Sequence, residues 1–203
     1  MKLYTHLMLA VIACSSIHAM ELNTPNPSAI HYQKVTKDNF AAISQKFPTL
    51  ETLMADEYFP YFRKLGSFRG CKDVEIRHHL MYKVFQIEVE DLYKPHPTQM
   101  YIAQDNATLV GMVSFDVDEQ DRRNVFLRNV IVATNYKLKG NGKKLALLPF
   151  TYHPNVTTLK IQCPRMYDDG IKFFKKIGFM ENNSLSILEL LHPDDYVGLV
   201  YTK

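Results

Sequence analysis

The chain has 203 residues, 46% hydrophobic, 22% charged and 12% aromatic, with a formal net charge of +3. That composition is globular and supplies enough apolar material to close a single core. So small a net charge gives no electrostatic reason to expect nucleic acid as a partner.

The first residues read differently from the rest. Lys2 is followed by a short apolar run, Leu7–Ala13, and then small residues. A spanning helix needs ~20 apolar residues, so no transmembrane span is expected. The run fits a signal segment over residues 1–19, with Ala19 at the cleavage position. The stretch ending at Cys14 also resembles a lipobox, so two processing routes stay open. On the signal reading the protein is exported; without it the chain is cytoplasmic. Residues 20–29, with two prolines, form a linker, and 30–203 form one domain. Cys71 and Cys163 are expected as two isolated thiols. No His/Cys spacing suggests a metal site.

Residues 30–35 alternate weakly and predict a short strand. Thr36 is placed to cap a helix from Lys37 to about Lys46, with Phe40, Ile43 and Phe47 at helical spacing. A second helix starts near Thr49, presents Leu50, Leu53, Met54 and Tyr58 on one side, and kinks or ends at Pro60. After the loop 66–73, a third helix over 74–93 carries the stripe Leu80, Val84, Ile87, Leu92. The segment 66–98 reads as a helical insertion.

The period then changes to two. Residues 99–104 and 109–117 predict a hairpin turning at 105–108. After a charged turn, 125–133 reads as a more buried strand. A helix over about 143–150, a strand at 156–163 and a helix at 167–179 follow, the last closed by Gly178. Strands at 185–191 and 196–203 complete the order. The fold class is therefore mixed α/β, with a mostly antiparallel twisted central sheet flanked by helices. One parallel βαβ step joins strand 125–133, helix 143–150 and strand 156–163.

The loop inside that step is the informative stretch. Asn135–Leu145 places Gly140 and Gly142 among Lys137, Lys139, Lys143 and Lys144, directly after a strand and before a helix. First-turn amides lack internal partners, the helix dipole adds positive charge, and glycine lets a phosphate approach the main chain. In that order within the chain, the stretch resembles the acetyl-CoA signature of the GNAT N-acetyltransferase superfamily, with Val132 followed by Lys137-Leu138-Lys139-Gly140-Asn141-Gly142. Phe173-Phe174-Lys175-Lys176-Ile177-Gly178-Phe179 resembles the family's second landmark. The resemblance spans roughly 30–203 and is sharpest over 108–182.

The resemblance implies acetyl-CoA as co-substrate and acyl transfer to a primary amine of a small molecule or peptide, by direct attack in a ternary complex. It implies that the main chain of Val130 and Val132 pairs with pantetheine, and that Lys137, Leu138, Lys139, Gly140, Asn141, Gly142 and Lys143 hold the pyrophosphate. Departures concern proton transfer. The family's tyrosine acid is Phe174 here, which cannot donate a proton, and its strand glutamate is Phe126. The alternative is a catalytically degenerate GNAT-fold protein that binds acyl-CoA or serves as an interaction protein, exported on the signal reading. Asp116 and Glu181 are the candidate bases, since an amine must shed a proton to attack, and Tyr167 is the candidate acid. For a cationic acceptor, Asp56, Glu57, Asp194 and Asp195 are the acids nearest the expected groove. Sequence leaves the oligomeric state, monomer or dimer, open.

Overall fold

The computed structural model describes residues 29–64, 68–95, 98–182 and 196–203. The expected signal segment, most of the linker, the strand at 185–191 and the Asp194–Asp195 turn lie outside the described residues. Strand β1 (His31–Val35) leads to helices α1 (Phe40–Lys46), α2 (Leu50–Phe62) and α3 (Asp73–His79), a π-helical stretch (Leu80–Phe85) and α4 (Gln86–Asp91). Strands β2 (Gln99–Asp105), β3 (Thr108–Val117) and β4 (Asn124–Val132) follow, then α5 (Asn141–Ala146), α6 (Leu148–Tyr152), β5 (Thr158–Pro164), α7 (Asp168–Lys176), β6 (Met180–Glu181) and β7 (Tyr196–Thr202). The seven strands of the described residues form one sheet in the order β1-β2-β3-β4-β5-β7-β6. Among them β4 and β5 run parallel, and the other pairings are antiparallel.

Alternation in the central strands supplies both faces. Val113, Val130 and Val132 face a core shared with Leu145, Ala146, Ile171 and Phe174 of α5 and α7. Met100, Met112 and Ile131 face a second core with Ile43, Leu50, Met54 and Tyr58 of α1 and α2. Each fully buried side chain of this size contributes ~1.5–3 kcal/mol, so both helical layers are bound firmly to the sheet.

Several elements differ from their sequence expectation for local reasons. Helix α1 starts three residues late, because the Asn39 side chain accepts from the Thr36 amide (2.8 Å) and donates to the Lys34 carbonyl (2.9 Å), closing a turn first. Pro60 does not stop α2, which runs to Phe62 with the ring on its exposed side. The helix expected over 143–150 starts earlier, at Asn141, and breaks at Leu147 before Pro149.

The largest difference is in the insertion. The π-helical stretch adds a residue to the turn, so the buried face steps forward by one. Leu80 and Leu92 are buried as expected, but Phe85, Glu88 and Asp91 also face inward, while Ile87 is only half-buried. A helical stripe of aliphatics thus becomes a face carrying two carboxylates. Opposite it, β4 holds its own extra residue: Ser114 pairs with Asn129 and Phe115 with Leu127, leaving Arg128 as a bulge. The Arg128 guanidinium lies between Glu88 (3.0 Å), Asp91 (2.5 Å) and Asp116 (3.6 Å). It also donates to the Thr98 hydroxyl at 2.5 Å.

Candidate active site

The parallel pair is short. Asn124, Val125 and Phe126 match Thr158, Leu159 and Lys160, and beyond them the ladder ends although both strands continue. A wedge therefore opens between β4 and β5. The register fixes what β4 presents to it. The Ala133 amide donates to the Val110 carbonyl at 2.8 Å, on the β3 side. Antiparallel strands alternate bonded and outward-facing residues, so Ile131 and Asn129 also bond toward β3. The amides and carbonyls of Val130 and Val132 point the other way, into the wedge.

The glycine loop closes one end of it. A 3-10 turn (Thr134–Tyr136) leads to Lys137, and the Asn141 side-chain amide donates to the Tyr136 carbonyl at 3.0 Å, folding the loop back on itself. Leu138 has φ +62° and Gly140 φ +79°. At Gly140 the left-handed backbone is what demands glycine, since a Cβ there would meet open space. Gly142 has a different reason: its Cβ would stand 3.0 Å from the Phe173 ring. Gly111 acts likewise, because a Cβ there would lie 2.9 Å from Leu145 and closer still to the Ile131 carbonyl. Gly111 and Gly142 together let α5 lie close against the sheet and against α7. The first helical bond runs from Lys144 N–H to the Gly140 carbonyl at 3.1 Å. The amides of Asn141, Gly142 and Lys143 precede any intrahelical acceptor. Lys139, Lys143 and Lys144 are exposed around them.

Lys137 is placed differently from its neighbours. Its ammonium turns inward to Glu57 of α2, at 3.0 Å, with only 9% and 6% of the two side chains exposed. Helix α2 reaches across the wedge here. The Tyr58 hydroxyl bonds the Asn129 side chain on β4. The Tyr167 hydroxyl, just beyond β5, donates to the Glu57 carbonyl at 3.4 Å. Asn129 in turn donates to the Ser114 hydroxyl at 2.8 Å. Asp56, the other acid expected near the acceptor, is paired with Arg77.

The three proton-transfer candidates occupy separate places. Asp116, on β3, accepts from Thr98 at 2.7 Å and faces Arg128; about a third of its side chain is exposed. Glu181 lies on the edge strand β6, where the Lys175 ammonium at 2.5 Å holds its carboxyl below the usual range. Tyr167 is fully buried, and burial, with Tyr61 and Glu57 beside it, pushes its hydroxyl far above the usual phenol range. Phe174 is core, its ring edge-on to Phe179. Phe126 is half-buried under the Lys160 ammonium at 5.0 Å. Cys71 and Cys163 are free thiols, the first exposed and the second buried; burial raises Cys163, which keeps it protonated. Among the described residues no cluster of metal-ligating side chains occurs, and no helix is long and apolar enough to cross a membrane. Gly111, Glu57 and Arg128 escaped sequence reasoning as positioning residues. Only the strand-interior glycine carried a local signal, since glycine there marks close backbone approach.

Known proteins agree with this architecture. Residues 53–179 match the family model described as the acetyltransferase (GNAT) family, and the chain belongs to that family. Among solved structures, it is similar to the PaiA N-acetyltransferase of Thermoplasma acidophilum in complex with coenzyme A. The TM-score is 0.61 at 13% identity, over 86% of this chain and 99% of that one. A probable acetyltransferase from Staphylococcus epidermidis aligns over the same shares with a TM-score of 0.55 and 16% identity. An acetyltransferase from Thermus thermophilus aligns over 87% and 99%, with 0.54 and 12%. At these identities the likeness is one of fold. No curated protein matches the sequence significantly.

Proposed function

We propose that the protein transfers an acetyl group from acetyl-CoA to a primary amine, by direct attack within a ternary complex. The observation that carries this reading is the β4–β5 wedge, with the main chain of Val130 and Val132 directed into it and the glycine loop at its end. In this reading pantetheine lies along β4 as an added strand would. The amides of Leu138 to Lys143 take the pyrophosphate, with Lys139 and Lys143 supplying charge from solvent.

The chemistry balances simply. The acceptor amine gives up a proton and its nitrogen attacks the thioester carbon. A main-chain amide of β4 stabilises the developing oxyanion. The C–S bond then breaks and the thiolate leaves with a proton from solvent, because Tyr167 holds its own too tightly to give it. Asp116 is the proton acceptor that the surroundings support best. It lies beside the point where β4 and β5 part and keeps about a third of its side chain open to water. Glu181, neutralised by Lys175 at the sheet edge, is the weaker candidate.

Titration calorimetry with acetyl-CoA, followed by free-thiol release with a panel of polyamines, aminoglycosides and peptides, tests the proposal. Binding with amine-dependent thiol release supports it. Absence of heat and of thermal stabilisation contradicts it. Binding without thiol release for any acceptor favours a coenzyme-binding protein without chemistry, the reading to which the hydroxyl-less Phe174 points. Removal of residues 1–19 on export is tested separately by the intact mass of the chain recovered from its host.

A further inference from the structure

We propose that Lys137 and Glu57 form a positioning strut. Lys137 sets the coenzyme loop against α2 through Glu57, and does not itself touch a phosphate. This rests on the coenzyme site proposed above and assigns one of its residues a different part. Lys137 opens the signature stretch, and its charge invites the reading of a phosphate ligand. Its ammonium is instead turned inward, 3.0 Å from a glutamate oxygen on α2, while Lys139, Lys143 and Lys144 stay exposed.

The pair sits where position matters. Helix α2 is already tied to β4 by Tyr58 and Asn129, and to the segment after β5 by Tyr167 and the Glu57 carbonyl. The Lys137–Glu57 contact adds the loop after β4 as a third attachment, one residue before the left-handed Leu138. A buried ion pair adds little net stability, because desolvation offsets the attraction, yet it fixes geometry. Losing it frees the loop to wander relative to β4, and coenzyme must then order it on binding.

A double-mutant cycle read by calorimetry with CoA tests the strut. Lys137→Met and Glu57→Gln are each expected to weaken CoA roughly tenfold, and the double variant no more than either alone. The KM for acetyl-CoA rises accordingly, with kcat at saturation unchanged within about twofold. The exchanged chain, Lys137→Glu with Glu57→Lys, keeps both charges paired, so it folds even where a single variant does not. It is expected to bind CoA within about threefold of wild type, whereas a glutamate facing a phosphate would abolish binding. The strut is overturned if Glu57→Gln binds as wild type while Lys137→Met does not, if the two effects multiply, or if the exchanged chain loses CoA. A wild-type chain that binds no CoA overturns the coenzyme reading instead, and the strut with it.

Discussion

The glycine loop and the helical insertion sit on opposite faces of the same strand and are built on opposite principles. The loop that follows β4 relies on main chain: one left-handed glycine, a closing asparagine and amides without internal acceptors. The insertion relies on side-chain charge: Arg128 on a strand bulge meets Glu88 and Asp91, which a π-helical turn carries inside. Main-chain devices leave a short, ordered signature of residue types. Charge clusters assembled across 40 residues by two one-residue insertions leave none.

That difference decided what was legible. The strand–turn–helix order and Gly178 as the helix stop were readable, because each depends on spacing within about ten residues, and the parallel step followed from the order of those elements. The inward turn of Lys137 was not, since it depends on where α2 packs. The stripe over 80–92 held at Leu80 and Leu92 but failed at Ile87 and missed Glu88 and Asp91, because one added residue in the turn rotates the side chains that follow by about 100° around the axis. Asp116 could be named as a strand-end acid, but its engagement with Arg128 required the bulge.

Breaking the charged side of the comparison has the largest expected effect. Arg128→Met leaves Glu88 buried without a cation and Asp91 with Lys94 alone, and should cost ~3–5 kcal/mol in denaturant unfolding. Removing the acids together with the arginine, as Arg128→Met with Glu88→Leu and Asp91→Leu, should recover much of it. Next comes Asp116→Asn, expected to lower kcat about 100-fold with little change in CoA affinity. Steady-state thiol release measures it, with Glu181→Gln as the control that leaves kcat near wild type.

On the main-chain side, Gly142→Ala pushes a methyl against the Phe173 ring and should cost ~1–3 kcal/mol, by thermal unfolding. Phe173→Leu in the same chain should relieve it. Gly140→Ala, whose methyl meets nothing, should cost only the ~1 kcal/mol of a left-handed backbone.

The smallest effect is the dependence on pH. Burial raises Glu88 above its ordinary value of 4.5, and Arg128 offsets this only in part. The native state then binds more protons than the unfolded state in that window. Stability from this group is therefore present at acid pH and declines as pH rises from 4.5 through the raised native value. Asp91 works in the other direction. Burial pushes its carboxyl up, but hydrogen bonds from Lys94 and Arg128 outweigh this and hold it low, so its contribution is lost on acidification. Glu88→Gln should remove the falling limb from a series of unfolding curves, and Asp91→Asn the rising one.

A crystal structure of the full chain with coenzyme A tests the central claim most directly. The account predicts pantetheine in the β4–β5 wedge, hydrogen-bonded to the main chain of Val130 and Val132. It also predicts the pyrophosphate on the amides of Leu138–Lys143, with Lys137 still on Glu57. A coenzyme bound elsewhere, or a wedge closed by continued pairing of β4 with β5, would contradict it.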